Sequence, residues 1–232
     1  MGTLPKVYLS PAYHSWKPCA VIGCDETTHN NQYLDILVEF LDSCGIAWKR
    51  GPRRIPKSTE DGTALMKAAV RESDEWGAHV HYVSHTNAST NSVGCGTVRG
   101  YRPIIYTGSV EGLKIANCIM HYRKEIYDQP MRLNERDDLY ELRVPKAPSY
   151  YEEHIFHDCP ADAEWFHDNM RAVARSTAKG FCAYFNIPYV EPARELYRVQ
   201  VGAFRDYENA RNFLNVVRQD FPEAFITTVY KD

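Results

Sequence analysis

Residues 78–88 have the sequence AHVHYVSHTNA, in which an apolar and β-branched run passes directly into polar residues. The first part, Ala78–Val83, predicts a buried strand, and His85–Ala88 predicts a polar loop after it. Amphipathic helical patterns lie on either side, over Thr59–Trp76 and Leu113–Ile126. A strand between two helices favours an α/β fold, in which ligands gather where the strands end.

The rest of the chain continues this alternation of strands and helices. Further strands are predicted at Lys6–Leu9, Ile46–Lys49, Arg102–Tyr106, Leu139–Val144 and Tyr150–Phe156. Further helices are predicted from Glu26 to the stop at Gly45, and over Ala161–Phe185. We therefore expect an α/β fold with a central twisted mixed sheet that is flanked by helices on both faces.

Composition narrows the classes of function. The chain has 232 residues, enough for one good-sized core and a small extra module. Its net charge of −3 argues against a general nucleic-acid binder, and no apolar stretch approaches the roughly 18 residues of a membrane span. Seven scattered cysteines without a C-x-x-C pair argue against a disulfide framework or a four-cysteine zinc site.

The last part of the chain has the pattern of a separate small unit. Two prolines in Ile187–Ala193 predict a linker. A strand that includes Val201, a helix capped by Asp206 and a strand at Phe225–Tyr230 are predicted after it. The chain then divides into a main domain of residues 1–187, a linker of residues 188–194 and a βαβ unit of residues 195–232. Such a unit is too small to bury much core by itself.

Three residues near predicted strand and helix ends are candidate metal ligands. His14 follows the first strand, His85 follows the strand quoted above, and Glu26 opens the first helix. Two histidines and one glutamate form a known catalytic zinc set, which leaves the fourth position for water. Spacing alone does not decide this, because a histidine in a loop is more often simply solvated or hydrogen bonded.

Four motifs occur in order along residues 6–185. They are KVYLSPAYH ending at His14, CDETTHNN with Glu26, YVSHTNA with His85, and EHIFHDCP beginning at Glu153. Together they resemble the zinc-dependent N-acetylmuramoyl-L-alanine amidase 3 family, in the form found among autolysins and phage endolysins. The chain departs from the family pattern at three places: one extra residue before His14, a shifted Ser84, and Cys159 in place of asparagine.

The resemblance implies a reaction, a cofactor and residue roles. It implies one zinc ion (Zn2+) bound by His14, Glu26 and His85, with Glu153 as the catalytic base and Asn87 in contact with the peptide. The implied reaction is hydrolysis of the amide bond between N-acetylmuramic acid and L-alanine in peptidoglycan, the polymer of the bacterial cell wall. Two alternatives stay open: a zinc peptidase that cuts the stem peptide, and a wall-binding module without catalysis.

Other polar residues near the motifs have structural interpretations. Asp25 is expected to cap the first helix. His29 is expected close to the site or on the surface rather than as a ligand, and His79 and His81 are expected to be hydrogen-bonded structural residues. The last motif also contains His154 and His157, and the family pattern assigns no role to either.

The C-terminal unit has a resemblance of its own. The segment YRVQVGAF, followed by a helix rich in Asn and Ala, resembles half of a sporulation-related repeat, the SPOR domain. The resemblance implies binding to wall glycan, and such domains contain two βαβ halves. With one half present, we expect either that two chains pair their tails as a homodimer or that the half packs on its own main domain.

The N-terminal sequence MGTLPKVYLSP lacks the pattern of a signal peptide. We therefore expect synthesis in the cytoplasm without a signal peptide, and action on the wall after lysis or non-classical release. A phage endolysin and a host mother-cell autolysin both fit this setting, and the SPOR-like tail favours the second. The preferred wall chemotype stays open.

Overall fold

The computed structural model of the chain describes residues 4–14, 17–21, 25–90, 94, 96–193, 201–222 and 224–226. It divides into two compact units, Met1–Ala193 and Arg194–Asp232. The first unit contains β1 (Lys6–Pro11), α1 (Glu26–Ser43), β2 (Ala47–Arg50), α2 (Thr59–Trp76), β3 (Val80–Asn87), β4 (Arg102–Tyr106), α3 (Val110–Arg123), β5 (Asn134–Arg136), α4 (Tyr140–Arg143), β6 (Ser149–Phe156) and α5 (Pro160–Phe185). The second contains α6 (Tyr207–Val217).

The sheet confirms the predicted α/β fold. Its six strands lie in the order β2-β1-β3-β6-β4-β5, and helices cover both faces. Neighbouring strands are parallel except for β4 and β6, which run antiparallel, so the sheet is mixed. The three strands that carry or precede motif residues, β1, β3 and β6, are therefore adjacent in the middle of the sheet.

Helices α1, α3 and α5 pack on one face of the sheet and form the main core. The predicted inner face of α1 is fully buried, and its members are Tyr33, Leu34, Leu37, Phe40 and Leu41. They contact alternate residues of the central strands, including Val7, Leu9, Val80 and Tyr82. Each such side chain contributes about 1.5–3 kcal/mol to the free energy of unfolding.

The ends of α1 follow the sequence signals. Asp25 is the N-cap, and its carboxylate accepts a hydrogen bond from the backbone N–H of Thr28 at 3.1 Å. Gly45, one residue past the C-cap Cys44, has φ 69°, a left-handed conformation that favours glycine. The first residue of the helix, Glu26, is therefore held at a defined position.

The opposite face of the sheet is covered by α2 and by the short helix α4. Strand residues next to those of the main core point toward this second face, because side chains alternate along a strand. Tyr8 packs with Ala69 of α2, and Val83 packs with Leu142 of α4. Tyr151 of β6 belongs to the same cluster as Val83.

The prediction of a strand at Leu139–Val144 is wrong, because Tyr140–Arg143 form the short helix α4. Leu139 and Leu142, three residues apart, both pack toward the sheet, as helical spacing allows and strand alternation does not. Glu141 is buried with them and accepts a hydrogen bond from the hydroxyl of Ser10 at 2.5 Å.

Two further differences concern strand length. The polar loop predicted at His85–Ala88 is wrong for its first three residues, because β3 continues through Asn87 and remains paired with β6. The polar three-residue strand β5 has no apolar alternation that would have predicted it. Among the described residues, no helix is long and apolar enough to cross a membrane.

In the second unit, α6 begins where the sequence predicts. Asp206 is its N-cap and accepts from the backbone N–H of Asn209 at 3.0 Å. The predicted strand up to Val201 and the predicted strand Phe225–Tyr230 lie mostly outside the described residues. The domain limits at residues 187 and 195 stay a prediction.

The close approach of α3 and α5 provides a test of the core. A Cβ atom on Gly180 would lie 2.4 Å from Ile119 Cγ1 and 2.7 Å from its Cα. We expect Gly180→Ala to lower the free energy of unfolding by about 1–3 kcal/mol, although alanine normally favours a helix over glycine. Urea denaturation measures this, and Glu164→Ala on the exposed side of α5 is the control. A stabilised Gly180→Ala variant would contradict this packing.

Candidate metal centre and catalytic pocket

The pairing of β3 with β6 brings two predicted site residues together. His85 and Glu153 are direct register partners on these parallel strands, which lie about 4.8 Å apart. The register shifts between His85 and Asn87, and such irregularities are frequent next to functional sites. His85 is buried and Glu153 is half-buried, and the ring of His85 stacks on that of Tyr151 with 4.6 Å between centroids.

Glu26 reaches this position from the start of α1. Its Oε1 accepts hydrogen bonds from His85 Nδ1 and from the backbone N–H of Thr86, both at 3.1 Å. Burial opposes ionisation of Glu26, but the hydrogen bond from His85 and the neighbouring histidines lower its pKa to about 2. The same bond raises the pKa of His85, against the effect of burial.

His14 completes the group from the loop after β1. Its Nε2 lies 3.6 Å from Glu26 Oε2, and its ring meets that of His85 edge to face at 5.1 Å. Thr27 fixes the loop, because its hydroxyl donates to the backbone carbonyl of His14 at 3.0 Å. Burial lowers the pKa of His14 to about 4, which keeps the imidazole neutral and able to bind a metal.

The donor atoms of these three residues fit a metal ion. One ligand atom each from His14, Glu26 and His85 lies within 4.8 Å of the others. Tetrahedral zinc, with bonds of about 2.0–2.1 Å, needs ligand atoms roughly 3.3 Å apart. Two imidazole nitrogens and a carboxylate oxygen are also ligands that zinc accepts.

All five predicted site residues line a single pocket of about 440 Å³. Besides His14, Glu26, His85, Asn87 and Glu153, the pocket is lined by Lys17, Thr86, Ala88, Ser89, Thr90, Tyr151 and His157. Sequence reasoning missed Lys17, which lies in a proline-containing loop without a motif. It assigned no role to His157, whose place in the pocket follows from the end of β6.

Glu153 has the character of a base with a raised pKa. Desolvation and, to a smaller extent, the charge of Glu26 raise its pKa to about 8, against the opposing effect of the neighbouring His85, Arg136 and Lys17. Its Oε2 is buried and has no hydrogen-bond partner among the described residues. The carboxyl group is therefore available to a molecule in the pocket.

The neighbouring Glu152 points to the other side of β6 and has a structural role. It is fully buried, accepts hydrogen bonds from the hydroxyls of Tyr82 and Tyr101, and forms an ion pair with Arg123 at 3.4 Å. The guanidinium of Arg123 also donates to Thr177 at 2.9 Å. The network satisfies the buried carboxylate and guanidinium, so removal of either partner alone would leave an uncompensated buried charge.

Four histidines outside the pocket, His29, His79, His81 and His154, contact other protein groups. A surface position for His29 is wrong, because its ring is buried and its Nδ1 lies 3.5 Å from Cys19 Sγ. His79 accepts from the backbone of Lys6 at 3.2 Å and His81 contacts Glu141 at 3.2 Å, as predicted for structural histidines. His154 is buried on the helix side of the sheet, stacked on Phe166.

Asp158, which follows the pocket histidine His157, anchors the pocket wall. Its carboxylate accepts from the backbone N–H and hydroxyl groups of both Ser89 and Thr90, at 2.8–3.1 Å. These bonds lower its pKa despite burial. Cys159, which stands where the resemblance expects asparagine, is the N-cap of α5 and makes no side-chain capping bond.

Asp158→Ala tests this anchor. The exposed Ser89 and Thr90 would lose a charged acceptor and could hydrogen bond to water instead, so we expect a loss of about 1 kcal/mol in the free energy of unfolding and faster proteolytic cleavage near residues 89–90. Urea denaturation and mass-spectrometric mapping of limited proteolysis measure both. Asp168→Ala, on the surface of α5, is the control. An unchanged cleavage pattern would mean that Asp158 does not hold this segment.

Comparison with known proteins shows a similarity to N-acetylmuramoyl-L-alanine amidases. The chain is 30% identical over 155 residues to the N-acetylmuramoyl-L-alanine amidase CwlM of Bacillus licheniformis, a match over 66% of this chain. The chain spans 58% of the length of that relative. The sequence resemblance to amidases is thus confirmed.

Solved structures confirm the fold. The CwlD amidase of Clostridioides difficile, solved in complex with the GerS lipoprotein, matches with a TM-score of 0.68 at 17% identity, over 78% of this chain and 98% of that chain. The catalytic domain of the amidase CwlV of Bacillus (Paenibacillus) polymyxa matches with a TM-score of 0.67 at 16% identity, over 80% of this chain and 100% of that chain. The first unit therefore has the fold of N-acetylmuramoyl-L-alanine amidases.

The tail resemblance is also confirmed, since the SPOR domain model matches residues 168–228. The first part of this match, residues 168–185, forms the end of α5, where Met170 and Val173 pack in the core of the first unit. The part of the match that lies in the second unit contains α6.

Proposed function

We propose that this chain is a zinc-dependent amidase that hydrolyses the bond between N-acetylmuramic acid and L-alanine in peptidoglycan. The observation that carries the proposal is the meeting of the donor atoms of His14, Glu26 and His85 in the pocket that Glu153, with its buried Oε2, also lines. The similarity to CwlM and the shared fold support the choice of substrate.

In this proposal His14, Glu26 and His85 hold one zinc ion. A zinc ion there supplies Lewis-acid chemistry, which polarises a carbonyl group and lowers the pKa of water. Thr86 orients the carboxylate of Glu26 through its backbone N–H, and Asp25 fixes the helix from which Glu26 projects.

Glu153 is the general base and acid of the proposed reaction. Its unpartnered Oε2 takes a proton from the attacking water and then donates it to the nitrogen of the leaving alanine. A raised pKa suits both steps, because it makes the carboxylate a stronger base and retains the proton until the nitrogen accepts it. Asn87, at the pocket rim, contacts the peptide.

Glu153→Gln tests the role of the base. The variant keeps the shape of the side chain, so we expect it to retain zinc but to lose at least about a hundredfold in rate. Metal analysis measures the first quantity, and mass spectrometry of digested peptidoglycan measures the second through new free amino ends on L-alanine. His85→Ala, in contrast, should lose metal and activity together.

The same digest separates the proposal from its alternatives. Cut cross-links with intact muramoyl-alanine would identify a peptidase that acts on the stem peptide. Metal-free protein that binds walls without releasing new ends would identify a binding module. Wild-type turnover by Glu153→Gln would remove Glu153 from the mechanism. Glu164→Gln, on the exposed surface of α5, is the matched control.

For the second unit we propose wall binding and pairing of two tails. The match to the SPOR domain and the exposure of apolar side chains on and around α6, among them Tyr207, Val216 and Phe221, support a surface that gains from a partner. A homodimer would supply a second βαβ half.

Light scattering after size-exclusion chromatography of the full chain tests this pairing. We expect a particle of twice the 26.7 kDa chain mass, and a shift toward the monomer when Val216 is replaced by glutamate. Lys67→Glu, on α2, is the control for the added charge. A chain that stays monomeric at all concentrations would refute the dimer.

A further inference from the structure

One cationic side chain in the pocket has no part in the proposed mechanism. Lys17 is the only lysine or arginine among the described residues that line the pocket, and its side chain is exposed. Along the described chain it forms no ion pair within 4.0 Å. Its charge is therefore not neutralised by a fixed partner.

The backbone of Lys17 is held in place on two sides. Its carbonyl accepts a hydrogen bond from the backbone N–H of Glu26 at 2.8 Å, and the next residue, Pro18, forms a bridge with Asp25. Further along this loop, the N–H of Ala20 donates to the carbonyl of His157 at 2.8 Å. The ammonium group thus extends from a fixed point on the pocket wall.

The charge of Lys17 lies in the same pocket as the proposed metal ligands and the proposed base. This charge lowers the pKa of both His14 and Glu153. A substrate whose scissile bond sits at Glu153 would therefore share this pocket with Lys17.

We propose that Lys17 binds a carboxylate of the peptide part of the substrate and thereby selects stem peptides whose acidic groups are free. The inference rests on the proposed amidase function. Stem peptides carry carboxylates close to the alanine whose nitrogen is released, and an ammonium group pairs with a carboxylate by a charge-assisted hydrogen bond. The neighbouring pocket donors, Ser89 and Asn87, are neutral, so outside the proposed zinc site and the histidines Lys17 supplies the opposite charge among the described lining residues.

Two preparations of the same purified peptidoglycan test the proposal. One is untreated, and in the other the carboxylates are converted to amides with carbodiimide and ammonia. The zinc-loaded full-length protein and its Lys17→Met, Lys17→Arg and Lys67→Met variants digest both, and mass spectrometry measures kcat/KM for the release of new L-alanine amino ends. Lys67 lies exposed on α2, away from the pocket, and serves as the matched control.

We expect Lys17→Met to lose about tenfold in kcat/KM on untreated walls, mainly through KM, and much less on amidated walls. Lys17→Arg should restore most of the loss, because arginine also pairs with a carboxylate. An equal loss on both walls would overturn the proposal and assign Lys17 to the reacting groups, and no loss on either wall would also overturn it. Failure of the wild-type protein to release alanine ends from either wall would instead refute the amidase function.

Discussion

The carboxylate of Glu26 joins the start of α1 to the ends of β1 and β3. It accepts hydrogen bonds from His85 and from the backbone of Thr86, and its second oxygen faces His14. A carboxylate that is 2% exposed is costly unless it is hydrogen bonded or paired. The requirement to satisfy this group relates the loop after β1, the end of strand β3 and the start of helix α1 to one another, and all three carry residues that line the pocket.

The alternation of side chains along β6 separates the chemistry of the site from the stability of the core. Glu152 and Glu153 are adjacent in sequence, yet they lie on opposite faces of the sheet. Glu152 forms an ion pair with Arg123 and accepts hydrogen bonds from two tyrosines, whereas Glu153 has an oxygen without a hydrogen-bond partner among the described residues. The ion pair and hydrogen bonds offset the cost of burying Glu152, whereas the partnerless oxygen of Glu153 remains available for proton transfer.

The pocket wall depends on residues that follow β6 rather than on the strands themselves. Asp158 accepts hydrogen bonds from the backbone and hydroxyl groups of Ser89 and Thr90. The backbone carbonyl of His157 accepts a hydrogen bond from Ala20, which belongs to the loop that carries Lys17. A short segment at the end of one strand thus positions both sides of the pocket. This explains why the last motif contains more than the predicted base: its neighbours shape the space in which that base acts.

The sequence by itself determined most of the fold, because local patterns carry that information. Helical spacing predicted α1 and α2, Asp25 and Gly45 marked the ends of α1, and β-branched runs predicted the central strands. It also named His14, Glu26, His85 and Glu153, but through an ordered set of motifs rather than through spacing. Local patterns failed at α4, where packing of residues three apart outweighed strand propensity.

Only the tertiary structure decided which of these residues meet. The pairing of His85 with Glu153 depends on the register between strands that are far apart in the chain, and no local pattern encodes a register. The place of Lys17 in the pocket depends on a bridge between the next residue, Pro18, and Asp25, the N-cap of α1. Motifs identify side chains of suitable chemistry, whereas long-range packing sets the distances at which that chemistry operates.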